Sequence, residues 1–272
     1  MKTVRQIATA LMIAVSSVAA GYDDDHNDDD EADTETFVLV HGAWQAPYVW
    51  DEVKSQLQKK GHTVIIAQLP AHGSDNTHPA STSIDSYRDA VLATFESRPE
   101  KVILVGHSMA GVVVSAVAEK RPDKIKKLVY IGAFAPANGQ SLLSLSSSDA
   151  QSQLGPSLIS SQDQLTLDIK RENLVHLFCA DAPAAVQKKV LDNFKPEPAI
   201  PFTNAVALTD AKFGTVEKVY IHTTKDNVIG MDLQNRMATQ IKVKTQYSLE
   251  TSHCPFLSKP KEVTNLLVKI AR

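Results

Sequence analysis

Cysteine is scarce: Cys179 and Cys254 are the only two in a chain of 272 residues. There is no CxxC spacing and no histidine-rich cluster nearby, so a structural zinc site has nothing to build on. The two thiols could pair in an oxidising compartment, and the sequence leaves open whether they meet. No dense Lys/Arg cluster occurs, so the electrostatic footprint of a nucleic-acid binder is missing. The one long apolar run, residues 7–18, falls short of the roughly 20 residues a bilayer span requires. No internal repeat is present.

What surrounds the apolar run gives it a different meaning. Lys2 and Arg5 precede it, and Val18-Ala19-Ala20 close it with small residues. This order predicts a secretory signal peptide over residues 1–20, cleaved near Ala20, and an exported protein, periplasmic or secreted. No cysteine follows the cleavage region, so a lipid anchor there is not indicated. Residues 21–36 form an acidic spacer. Nine acids and no Lys or Arg lie between Asp23 and Glu35, a block that repels itself and buries nothing, which predicts disorder. A calcium loop would need a central glycine that Asp23-Asp24-Asp25-His26-Asn27 lacks. Without Lys2, Arg5 and those nine acids, residues 36–272 hold 26 cations against 22 anions, a formal +4 in place of −3. With 43% hydrophobic residues, this remainder is the size of one ordinary domain with a sizeable core.

From residue 37 the chain alternates short β-branched runs with helical stretches. Strands are expected at 37–40, 63–67, 101–105, 127–131, 218–221 and 245–249, with helices at 51–60, 84–97, 110–120 and 260–270. Strands apolar on both faces and separated by helices indicate a mostly parallel sheet of about six strands, covered on both sides. The alternation fails between residues 134 and 213. That insert opens Ser/Gln-rich over 141–164, turns helical around 172–194 and ends at Pro196, Pro198 and Pro201. It reads as a small, mainly helical cap after the fourth strand, with the core over 37–133 and 214–272.

The strongest chemical signal is Val102-Ile103-Leu104-Val105-Gly106-His107-Ser108-Met109-Ala110-Gly111. A nucleophile elbow needs a strand, a sharp turn carrying a strained serine, small residues two positions to either side, and a helix directly after. Gly106 and Ala110 take the small positions, Ala110 departing from the glycine of G-x-S-x-G. A serine hydroxyl needs a base, and in this arrangement the order along the chain is serine, acid, histidine. His253 follows the last strand in a short loop; His176 falls in the cap, and His222 sits at a strand end before any acid. The acid belongs in the loop after the penultimate strand, where Asp226 stands. Asp232 is the rival, expected within the next helix, and Asp210 precedes the strand at the wrong edge. The loop 132–136 holds no acid. Two backbone N–H groups should meet the negative oxygen of a tetrahedral intermediate: Met109, next to the serine, and Ala43, in the turn after the first strand.

These segments, with residues 37–43 and 213–221, resemble the plant methylesterases and their bacterial esterase relatives, a group that also contains the hydroxynitrile lyases. The resemblance runs from Phe37 to the C-terminus and is weakest in the cap. It implies an α/β-hydrolase fold with no cofactor and no metal, a triad of Ser108, Asp226 and His253, and oxyanion donors at Ala43 and Met109. The lyases place Thr where Gly42 stands and Lys where Cys254 stands, so esterase activity ranks above lyase activity. Leu174, Leu177, Phe178 and Cys179 of the cap, with Trp44, Cys254 and Phe256, are the candidates for a mainly apolar substrate pocket. The expected partner is a small to medium hydrophobic ester. A triad-retaining ligand-binding protein with slow turnover and a lyase-like activity are the alternatives.

Overall fold

The computed structural model describes residues 34–272. The expected signal peptide, and the acidic spacer up to residue 33, lie outside the described residues. The core begins β1 (Thr36–Val40), α1 (Asp51–Lys59), β2 (Thr63–Ala67), α2 (Ile84–Ala93), β3 (Val102–His107), α3 (Ala110–Lys120) and β4 (Ile125–Ile131). The insert follows, with α4 (Leu142–Ser146), β5 (Leu158–Ser160), β6 (Thr166–Ile169), α5 (Leu174–Phe178), α6 (Ala184–Asn193), β7 (Glu197–Pro198) and α7 (Ile200–Thr203). The core resumes with β8 (Lys218–Thr223), α8 (Met231–Gln240), β9 (Thr245–Leu249), α9 (Pro255–Ser258) and α10 (Pro260–Ala271).

The six core strands lie in the order β2-β1-β3-β4-β8-β9, every pair parallel. β1 and β3 are fully buried, as their unbroken Val/Leu/Ile runs require of strands covered on both faces. The crossover from β1 to β2 and the next, from β2 past β1 to β3, run in opposite directions along the sheet, so right-handed connections put their helices on opposite faces. Accordingly, α1 packs against α10, and α2 against α3. The order reverses at β1, with β2 on one side and β3 on the other. That is the switch point where an open α/β sheet forms its crevice, beyond the carboxyl ends of the strands. The turns after β1, β3, β8 and β9 all open at that edge.

The insert differs from the expectation in one respect. Beside its four short helices it carries a three-stranded antiparallel sheet, β5-β6-β7. The hairpin between β5 and β6 turns at Gln164, φ +60°, where Asp163 accepts from the Ser161 hydroxyl at 2.6 Å and from the Leu165 N–H at 3.1 Å. Strands of two to four residues leave too little alternation to register as a period-2 pattern. The helical stretch around 172–194 is divided by residues 179–183, with Pro183 at the N-terminus of α6.

Candidate active site

Ser108 occupies the tip of the β3–α3 turn with φ +54°, a left-handed conformation that costs an L-residue roughly 1–2 kcal/mol. The turn is held from several sides. The Ser108 carbonyl accepts from the Gly111 and Phe134 N–H groups, both at 3.0 Å. A Cβ on Gly106 would sit 2.8 Å from Val114 Cγ2 and 2.9 Å from the Ala110 oxygen. On Gly111 it would sit 2.1 Å from the Phe134 oxygen. The tightest demand for glycine therefore falls at Gly111, one residue past Ala110, where α3 meets the loop after β4.

His253 and Asp226 come to Ser108 from neighbouring strands, β9 and β8. His253 Nε2 lies 2.9 Å from Ser108 Oγ, and His253 Nδ1 lies 2.7 Å from Asp226 Oδ2. Asp226 is anchored by its own loop: Oδ1 accepts the Val228 and Ile229 N–H groups at 2.8 and 3.0 Å, and Oδ2 accepts the Thr223 hydroxyl at 2.7 Å. A carboxylate that only accepts assigns the proton to His253 Nδ1 and leaves Nε2 free to take the serine proton. Asp232, the rival acid, is exposed in the first turn of α8. Asp210 lies in the turn before β8.

His107, inside the elbow, holds the base from behind. Its Nε2 is 2.9 Å from the His253 carbonyl, and the two rings are 4.6 Å apart. Burial, and then the neighbouring His253, push the His107 imidazole well below its ordinary range, so it is neutral and donates that bond. Phe256 packs edge-on against His107 at 4.7 Å and tilted against Trp50 at 4.2 Å, which makes it a support beneath the site.

The turn after β1 faces the elbow. Among the described residues, neither the Ala43 nor the Met109 N–H donates to a protein acceptor, while the Gly42 and Trp44 N–H groups on either side of Ala43 both do. Gly42 N–H donates to Gln45 Oε1 at 3.3 Å, and Gln45 Nε2 donates to Cys254 Sγ at 3.0 Å. Burial, with a contribution from His72, lowers His41 from 6.5 to about 3. The neutral ring donates from Nδ1 to the Gly42 carbonyl at 3.0 Å. In a trans peptide the carbonyl and N–H point in opposite directions, so His41 orients the peptide unit that carries the Ala43 N–H.

Trp44 meets the ring of Phe178 at 5.9 Å and that of Phe202 at 5.8 Å, and Phe178 lies edge-on to His253 at 5.7 Å. Phe178 and Trp44 are thus brought to the triad. Leu174 and Leu177 are buried in the same apolar core, while Cys179 packs in a small separate cluster. Cys179 and Cys254 are buried free thiols. Burial raises Cys179 to about 11 and Cys254 well above its ordinary range, so both stay protonated at neutral pH. Gln45, His107 and Phe202 were not anticipated from the sequence. Only His107 carried a signal, its place inside the elbow.

The model of the alpha/beta hydrolase family matches residues 37–266. The chain belongs to this family. This α/β-hydrolase is 30% identical over 255 residues to putative methylesterase 11, chloroplastic, of Arabidopsis thaliana, covering 89% of this chain and 65% of that one. It is 29% identical over 257 residues to methyl jasmonate esterase 1 of Vitis vinifera, covering 86% and 95%. It spans 65% and 57% of the lengths of the Arabidopsis methylesterases 11 and 13. Among solved structures it is similar to a Paenibacillus extracellular alpha/beta-hydrolase, described as sharing structural and functional homology with tobacco salicylic acid binding protein 2. The TM-score is 0.74 at 28% identity, over 86% of this chain and 98% of that one. Polyneuridine aldehyde esterase shares the fold, with a TM-score of 0.76 at 20% identity over 88% and 100%. Among the described residues of this α/β-hydrolase, no helix is long and apolar enough to cross a membrane.

Proposed function

We propose that this α/β-hydrolase is an exported serine esterase that cleaves small to medium hydrophobic carboxylic esters through an acyl-enzyme on Ser108. The observation that carries the reading is the continuous relay from Asp226 Oδ2 through His253 to Ser108 Oγ, with links of 2.7 and 2.9 Å. His253 Nε2 takes the hydroxyl proton as Ser108 Oγ attacks the ester carbonyl, and the oxyanion is met by the Ala43 and Met109 N–H groups. Collapse breaks the bond to the alkoxy oxygen, which leaves as the alcohol with the proton held by His253. A water then gives its proton to the same nitrogen and attacks the acyl carbon; the acyl–Oγ bond breaks, His253 returns the proton to Ser108 Oγ, and the acid departs. Asp226 keeps the imidazole in its tautomer and steadies the imidazolium.

The names of the Arabidopsis and Vitis relatives support an ester of a small alcohol. The rings of Trp44, Phe178 and Phe202 favour an apolar acyl part. Export rests on the charged start, apolar run and small-residue close of residues 1–20. A hydroxynitrile-lyase reading is disfavoured by Gly42. A threonine there would bring its Cβ to 2.8 Å from Ser108 Cβ, and no lysine follows His253.

The test is hydrolysis of p-nitrophenyl esters from acetate to decanoate by wild type and Ser108→Ala. Turnover that depends on Ser108 and peaks at one chain length supports the reading and sizes the acyl pocket. A folded wild type that hydrolyses no member of the series would replace it with the ligand-binding or lyase alternative.

A further inference from the structure

One buried carboxylate has no part in the relay. Glu197, from β7 of the insert, is fully buried. Its Oε2 accepts the backbone N–H of Trp44 at 2.7 Å and lies 2.8 Å from His72 Nε2. Its other oxygen, Oε1, has no hydrogen-bond partner among the described residues. A buried ion pair is at best a weak source of stability, and one with an unpartnered carboxylate oxygen is weaker still. What Glu197 does hold is geometry.

Trp44 has φ +58°, a conformation that a bulky residue keeps only when its surroundings impose it. Two contacts with the insert impose it. The Trp44 N–H ends on Glu197, and the indole Nε1–H ends on the Leu167 carbonyl of β6 at 2.8 Å. Trp44 follows Ala43 directly, as Ser108, the other strained residue of the site, directly precedes Met109. Both N–H groups proposed for the oxyanion hole thus adjoin a residue in the left-handed region.

The partner of Glu197 reaches the hole by a second route. His72 Nδ1 lies 2.8 Å from the Pro70 carbonyl, and its ring lies 4.9 Å from that of His41, whose Nδ1 grips the Gly42 carbonyl. Burial draws His72 down, but the charge and hydrogen bond of Glu197 leave it raised overall. When protonated, His72 in turn disfavours protonation of the neighbouring His41. Glu197 therefore meets the peptide units on both sides of Ala43: one directly at Trp44, the other through His72 and His41.

We propose that Glu197 is the positioning residue of the oxyanion loop, so that seating of the insert and alignment of the Ala43 N–H are a single event. This rests on the esterase reading for its kinetic consequence and on geometry alone for its structural one. In Glu197→Ala, kcat for p-nitrophenyl acetate should fall about 10- to 100-fold while KM stays within about threefold, because the lost interaction serves the transition state. Glu197→Gln keeps the shape and one acceptor oxygen, and should fall between wild type and Glu197→Ala. It also serves if Glu197→Ala does not fold.

Hydrogen exchange of the Trp44 backbone amide, which needs no substrate, should quicken at least tenfold in the same variants. A merely structural carboxylate would lower the unfolding midpoint and leave the kcat-to-KM split and local Trp44 exchange unchanged, and that result would overturn the proposal. If the wild type shows no turnover dependent on Ser108, the esterase reading falls, and Trp44 exchange alone decides the role of Glu197.

Discussion

Gly42 lies directly against Ser108: a Cβ on Gly42 would sit 2.8 Å from the Ser108 Cβ and 2.9 Å from His107 Nδ1. The turn after β1 and the elbow after β3 are thus in contact at the two peptides that should bind the oxyanion. Neither neighbour can yield, because Ser108 is fixed by its strained turn and His107 by the His253 carbonyl. Gly42→Ala should push the Ala43 N–H away from the hole and lower kcat on p-nitrophenyl acetate about 10- to 100-fold, since displacements near 1 Å cost on that order. Steady-state kinetics check this, and an unchanged kcat would show that the loop relaxes without moving the donor.

At the elbow, the two small residues after Ser108 should both resist substitution, but to different degrees. Gly111→Ala drives a methyl into the Phe134 carbonyl, 2.1 Å from where the Cβ would stand, and should destabilise the fold by about 3 kcal/mol or more. Ala110→Gly removes a methyl at the start of α3 and should cost about 1 kcal/mol. Urea unfolding of both variants measures the difference.

Much of this was readable in advance, for identifiable reasons. The parallel core announces itself through short β-branched runs such as Val102-Ile103-Leu104-Val105, bounded by turn residues, the pattern of a strand buried on both faces. Ser108, Asp226 and His253 could be picked out because each follows a strand that the pattern had already placed. Glu197 gave no such signal. It is a lone acid between prolines in the least patterned part of the chain, and its meaning comes from Trp44, 153 positions away. The sheet β5-β6-β7 was hidden for the related reason that its strands are too short to show a period.

The acid assignment separates cleanly. Asp226→Asn keeps an acceptor for the Val228 and Ile229 N–H groups but no longer fixes the His253 tautomer, and kcat should fall about 10⁴-fold. Asp232→Asn, exposed on α8, should be within a factor of about two of wild type, the range expected of a remote surface change. Activity lost in Asp232→Asn and kept in Asp226→Asn would reverse the assignment.

Stability should fall on the acid side of pH 6.5. His41, at about 3 in the folded chain, stays neutral where the unfolded chain binds a proton, and His107 shifts in the same direction. Their contribution is complete above 6.5 and is lost as the pH falls below it. His72 is shifted upward, so its contribution is complete below 6.5 and is lost only as the pH rises. Each proton taken up only on unfolding costs about 1.4 kcal/mol per pH unit. Urea unfolding between pH 6.5 and 5, where most carboxylates remain ionised, should show a steep decline that His41→Gln makes shallower. A flat profile over that interval would contradict the neutral, buried state of both rings.

The most direct test of the central claim is to stop the reaction with p-nitrophenyl butyrate in acid within the first turnover and weigh the intact protein. A serine esterase should carry one butyryl group, mapping to the peptide that contains Ser108, with a matching burst of p-nitrophenol. Ser108→Ala should show neither. Turnover of the ester with no acyl-protein at any time, or with the acyl group on another residue, would contradict the account.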